Sequence, residues 1–135
     1  MLSVGTIRYG KSSWYMVIDC CPELGRLYRT LFYESVYRTR KIQKPLYGNH
    51  ITVIRREEPT NKDLWFKYDG MEIQFEYSPL ANCNRYYHWL PIKCSKLDEI
   101  RVELGLTNPP ICPYHMTFGN EIVKPPDYDE RPYYE

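Results

Sequence analysis

Tyr47-Gly48-Asn49-His50-Ile51-Thr52-Val53 is repeated in its essentials by Pro113-Tyr114-His115-Met116-Thr117-Phe118-Gly119, since both stretches contain H-x-T. Successive residues of a β-strand alternate faces, so residues two apart point the same way and each motif sets an imidazole beside a hydroxyl. Seven of the 135 residues are Thr. A given His therefore has about a 5% chance of Thr two residues on, and two such hits among three His arise by chance about 1% of the time. The pair reads as a site rather than as two unrelated strand histidines.

The rest of the chain is read outward from these strands. Pro45 and Gly48 break the chain before the first motif strand, expected over His50 to Arg55, and Glu57-Glu58-Pro59-Thr60-Asn61 closes it with turn chemistry. Upstream, Ser3 to Tyr9 and Trp14 to Ile18 form an expected hairpin about Gly10-Lys11-Ser12-Ser13. Pro22 then opens a helix whose apolar face carries Leu24, Leu27, Tyr28, Leu31, Ser35 and Val36, while Arg26, Arg29, Glu34, Arg38 and Arg40 lie largely on a solvated side. Downstream, Trp65 to Tyr68, Asp69-Gly70 and Met71 to Tyr77 predict a second hairpin. Ser78 to Arg85 predicts a loop, and Tyr87 to Cys94 a strand in which Pro91 marks an edge or a bulge. Ser95-Lys96-Leu97-Asp98 has the S-x-x-D form of a helix start, with Leu97, Ile100 and Leu104 as the apolar stripe and Gly105 as the stop. Asn108-Pro109-Pro110 forces an extended entry to the second motif strand, which Gly119 follows. The expected fold is a single α+β domain over 1–135 with antiparallel sheet, as two lobes facing each other across a central cleft. Residues 121–135, Pro- and Tyr-rich from Lys124, form either a flexible tail or a lid.

Composition narrows the function. A net charge of +1 argues against a protein that coats long nucleic acid, which would carry a clear basic excess, but allows a small anionic ligand. Five cysteines at 20, 21, 83, 94 and 112, with no C-x-x-C pair, make neither a zinc-finger set nor a disulfide framework and fit reduced thiols in a cytoplasm. No charged-then-apolar leader opens the chain, and no apolar run approaches the ~18 residues needed to span a bilayer. A soluble, cytoplasmic protein with no membrane partner is expected. Fourteen Tyr, four Phe and three Trp suit a site that stacks a base and hydrogen-bonds to it, and equally suit a mixed core.

The two H-x-T motifs, 65 residues apart in a small α+β chain, resemble those of the two-histidine phosphoesterase superfamily, the LigT-like fold. Tyr9-Gly10 at the end of the first strand, the W-Y-M-V-I-D strand at Trp14 to Asp19, G-N-H-I-T-V and the I-R-V-E-L-G-L helix at Ile100 to Leu106 are most similar to the phage anti-CBASS nucleases, which degrade the cyclic di- and trinucleotide signals of bacterial defence. The resemblance implies a cyclic oligonucleotide as ligand and, for a phage-encoded chain, the host cytoplasm as location. It implies that Tyr9 stacks on a nucleobase, although a core role for Tyr9 is equally open. It also implies ligand contacts from a C-terminal lid, for which Glu130, Tyr133 and Tyr134 are the candidates.

The residue types suit that chemistry. Phosphodiester cleavage needs one proton removed from an attacking oxygen and another delivered to the leaving oxygen, and a histidine with an ordinary pKa near ~6.5 does either at neutral pH. His50 and His115 are the expected proton-transfer pair, flanking the phosphate from facing lobes. Thr52 and Thr117 would hold its nonbridging oxygens. No cofactor or metal is required, although Asp127-Tyr128-Asp129-Glu130 is the one carboxylate cluster to test as a metal site. His88, which lacks Thr at +2, reads as structural. The same four residues would also serve an RNA-repair 2′,3′-cyclic phosphodiesterase or RNA-end-processing enzyme, and a non-catalytic cyclic nucleotide sponge is the alternative outside enzymes.

Overall fold

The first hairpin forms as its sequence predicts and begins a sheet that closes on itself. In the computed structural model, which describes residues 1–34, 42–46 and 48–122, β1 (Leu2–Tyr9) pairs with β2 (Tyr15–Cys20), Tyr9 lying opposite Met16. β2 pairs in turn with β4 (His50–Arg55). On its other side β1 pairs with β5 (Glu72–Tyr77), which meets β7 (Tyr87–Lys93). β8 (His115–Glu121) joins β7 to β4, so β4-β2-β1-β5-β7-β8 is a closed antiparallel barrel, with β3 (Ile42–Gln43) and β6 (Asn82–Cys83) as two-residue additions. Two helices, α1 (Pro22–Glu34) and α2 (Ser95–Glu103), complete an α+β fold. The motif strands are neighbours in one sheet, not walls of two facing lobes. Among the described residues, no helix is long and apolar enough to cross a membrane.

The strand alternation behaves as hydrophobic burial requires. Ile73, Phe75 and Tyr77 enter the core while Glu72, Gln74 and Glu76 face out. They meet Ile7, Met16, Ile18, Ile51, Leu90, Met116 and Phe118 in one apolar interior.

Four local expectations are corrected. Trp65 to Tyr68 is not a strand: the chain makes a 3₁₀ turn at Lys62–Leu64 and continues in turns to Gly70, with Phe66 at φ 73° interrupting any extended run. β5 therefore has β1 as its partner, and Asp69 accepts a hydrogen bond from the Tyr9 backbone N–H at 3.1 Å. On α1, Leu27 and Leu31 are each 50% exposed, and the covered face instead runs through Leu24, Gly25, Tyr28, Arg29 and Phe32. Gly25 sets that rotation, because any Cβ there would strike the Asn49 side chain, while Arg29 Nη1 donates to the Phe118 carbonyl at 2.7 Å rather than standing in solvent. At α2 the S-x-x-D pattern makes no side-chain cap; Cys94 is the N-cap, and Asp98 accepts from the Tyr114 hydroxyl at 3.0 Å. Gly119 does not end the second motif strand, which runs on to Glu121 with β3 against it. The bulge in β7 falls between His88 and Trp89, and Pro91 lies opposite His115 where β8 begins. Ser35, Val36, Arg38, Arg40, Tyr47 and the tail from 123 lie outside the described residues.

α2 is tied to the first motif strand through Arg101, which is fully buried. Its guanidinium forks onto Glu57 with two bonds of 2.8 Å, and its remaining donors reach the Val53 and Thr107 carbonyls, each at 2.9 Å. The Arg101 bonds hold the Glu57 carboxyl below its ordinary value. A depressed carboxyl contributes stability that is fully present above its unfolded pKa and is lost as pH falls toward its folded pKa. Glu57→Gln is thus expected to cost about 2–3 kcal/mol at pH 7, below the range for a fully buried pair because Glu57 is 32% exposed. Urea unfolding at pH 7 and pH 3 checks this, with the gap between wild type and variant expected to narrow in acid.

Candidate active site

His50 and Thr52 stand on β4, and His115 and Thr117 on β8, with Ile51 and Met116 between them buried and paired across the two strands. One step either way along an antiparallel pair places His50 opposite Thr117 and Thr52 opposite His115. All four share the face that points away from the Ile51–Met116 side of the sheet. They form a quadrilateral with the histidines at opposite corners, their Cβ atoms about 7–8 Å apart on the diagonal. Two hollows follow the same pairing. His50 and Thr117 line one of about 320 Å³, Thr52 and His115 another of about 220 Å³.

The two histidines are held alike. His50 Nδ1 lies 3.2 Å from the Gly48 carbonyl oxygen and His115 Nδ1 lies 2.9 Å from that of Pro113, in each case two residues back. A carbonyl only accepts, so Nδ1 carries the proton in both rings, and in the neutral ring Nε2 is the nitrogen with a lone pair. Each motif thus presets one tautomer with its own backbone. Gly48 reaches this geometry at φ +79°, a conformation that favours glycine. Asn49 fixes the approach further: its carbonyl accepts from the Cys20 N–H at 3.0 Å, and its Nδ2 donates to the Pro22 carbonyl at 3.3 Å. On the other strand, Tyr114 is buried against α2, and burial followed by the bond to Asp98 pushes its hydroxyl pKa up. The Trp89 ring stands edge-on to His115, with centroids 6.0 Å apart.

Each hollow is also lined by a cation, Lys44 in that of His50 and Arg55 in that of His115, where the Glu57 carboxylate paired with Arg101 is part of the wall as well. Tyr86, Tyr87 and Asn120 line the first hollow, and Asn120 Nδ2 donates to the Tyr86 hydroxyl at 3.2 Å. Sequence reasoning missed Lys44, Arg55, Tyr86, Tyr87 and Asn120. The available signals were a cation closing the first motif strand and a Tyr-Tyr pair entering the strand beside the second. In the other hollow the Cys112 sulfur lies 3.9 Å from His115 Nδ1.

Tyr9 is not brought to this face. It is 4% exposed, inside the barrel, with its ring against Trp65 at 4.9 Å and Phe66 at 5.8 Å, and burial raises its pKa to about 12. That is the core role of the two left open by the sequence. His88 is buried against Phe32, with ring centroids 4.6 Å apart, as a structural histidine would be. Glu130, Tyr133, Tyr134 and the Asp127–Glu130 cluster lie outside the described residues. Among the described residues, no group of three or more His, Cys, Asp or Glu is placed to hold a metal.

The octapeptide Gly5–Ser12, G-T-I-R-Y-G-K-S, fits the G-x-x-x-x-G-K-S pattern of phosphate-cradling loops. Such a loop joins a strand to a helix, whereas here Gly5 to Tyr9 is strand and Gly10 to Trp14 turns directly into β2. The match is one of pattern only.

A scan against protein-family models finds no match for this chain, and searches of curated proteins and of solved structures find none.

Proposed function

We propose that this chain is a LigT-like two-histidine phosphodiesterase that cleaves 3′,5′ bonds of cyclic di- or trinucleotide signals, with the paired hollows serving as its cleft. The observation that carries this is the matched presentation of His50 and His115 at opposite corners of one face, each with Nδ1 bound to the carbonyl two residues back. Pure binding needs no such pair of preset proton-transfer groups, which favours an enzyme over a sponge. A phosphate centred on the quadrilateral meets one imidazole at its attacking oxygen and the other at its leaving oxygen. Thr52 and Thr117, at the remaining corners, donate to nonbridging oxygens as charge builds there. Lys44 and Arg55 supply the positive field for an anionic ligand, and Tyr86 and Tyr87 offer rings for its bases. The choice of a cyclic signal over an RNA end rests on the resemblance to anti-CBASS nucleases and on the near-neutral charge. The cell compartment in which this would act is the cytoplasm.

The experiment is incubation with a panel of cyclic di- and trinucleotides and with an RNA ending in a 2′,3′-cyclic phosphate, with and without EDTA, read by chromatography. Cleavage of cyclic nucleotides that survives chelation is expected. Loss on chelation with recovery by magnesium or manganese would move the chemistry to a metal-assisted mechanism. Cleavage confined to the RNA end would make this an RNA-processing enzyme.

A further inference from the structure

The turn from β1 into β2 roofs a hollow of about 560 Å³, larger than either motif hollow and within the range of small-ligand sites. It shares no lining residue with either motif hollow, although Arg56 on its wall follows Arg55 of the His115 hollow directly in the chain. Lys11, Arg56 and Lys62 line it, and so do Trp14, Trp65 and Phe66. Lys62 is paired with Glu58 at 2.6 Å, but Lys11 and Arg56 have no carboxylate partner among the described residues; Arg56 Nε donates only to the Tyr15 hydroxyl, at 3.0 Å. The aromatic wall is rigid at its base, where Trp65 Nε1 donates to the Gly10 carbonyl at 3.1 Å and meets Trp14 edge-on at 5.0 Å. Above it Phe66 is 45% exposed.

The backbone adds an independent sign. Among the described residues only Arg56 (φ 53°) and Phe66 (φ 73°) are non-glycine residues in the left-handed region, and both line this hollow. That conformation is costly for bulky side chains, and such strain gathers where a ligand must be met. We propose that the hollow is a second ligand site, separate from the motif face, for a mononucleotide: the base lies against Phe66 and Trp14, and the phosphate is held by Lys11 and Arg56 with the Ser12 and Ser13 hydroxyls beside it.

Titration of the intact protein with AMP, adenosine and inorganic phosphate, followed by tryptophan fluorescence and calorimetry, tests this. AMP is expected to bind saturably, and adenosine and phosphate alone about tenfold or more weakly. Lys11→Ala/Arg56→Ala, both exposed positions, should weaken AMP binding about tenfold or more while circular dichroism stays unchanged. His50→Ala/His115→Ala should leave AMP binding intact, which separates this site from the motif site whatever the fate of the proposed catalysis. Absence of saturable AMP binding, phosphate binding as tightly as AMP, undiminished affinity in the Lys11/Arg56 variant, or loss of binding in the histidine variant would each overturn the proposal.

Discussion

Alanine at His50 or at His115 is expected to lower turnover of a cyclic ribonucleotide by about 10²–10⁴-fold, the scale of losing one general acid or base. The double variant should be little worse than either single one, because both proton transfers serve one transition state. Thr52→Ala and Thr117→Ala should cost about 10²–10³-fold, as for one charge-stabilising donor. The geometry adds a sharper expectation. His50 faces Thr117 and Thr52 faces His115 across the strands, so double-variant cycles should show stronger coupling for these cross-strand couples than for His50 with Thr52 inside one motif. Each variant's thermal unfolding has to be recorded beside its rate, since His50 and Thr117 are buried. Near-wild-type turnover in a folded single histidine variant would remove the proposed site.

A comparable loss, on the order of 10³-fold or more, is expected when the substrate is a 2′-deoxy cyclic dinucleotide in place of the ribonucleotide. The ribose 2′-OH already sits beside the 3′-phosphate and holds a large proximity advantage over water. One histidine would take the 2′ proton as that oxygen bonds to phosphorus, and the other would protonate the 5′ oxygen as its bond to phosphorus breaks. The first product would be a linear oligonucleotide ending in a 2′,3′-cyclic phosphate. The deoxy analogue should still bind, since bases and phosphates are unchanged, so rates are compared at saturating concentration. Equal rates on the two would point to direct attack by water.

The elements most legible in the sequence were those whose local and global preferences agree. β4 spans His50–Arg55 as its turn signals require, and Leu97, Ile100 and Leu104 are buried as their spacing implies. Failures came where a distant contact overrode a local pattern. Leu27 and Leu31 lost the buried face of α1 to Gly25 and Tyr28, because the Asn49 side chain, 24 residues later, lies against Gly25 and the Phe118 ring against Tyr28. Trp65 to Tyr68 has strand composition, yet Phe66 turns left-handed and β5 finds β1. The site was legible as two pairs of residues but not as a square, because register between strands 65 residues apart is set by closure of the whole barrel. Lys44 and the Tyr86-Tyr87 pair carry no spacing signal, since only that closure brings them to the hollow of His50, whereas Arg55 ends the motif strand itself.

The seam between β4 and β8 consists of a single residue pair, Ile51 with Met116, while β2 and β4 share five. A cylinder breathes first along its weakest join, and local opening there sacrifices little backbone hydrogen bonding. Any molecule gripping His50 and Thr117 on one side and Thr52 and His115 on the other would act as a rivet across that join. Its binding energy would then be felt as resistance of the barrel to unzipping, read as slowed amide exchange in β4 and β8 and a raised melting temperature.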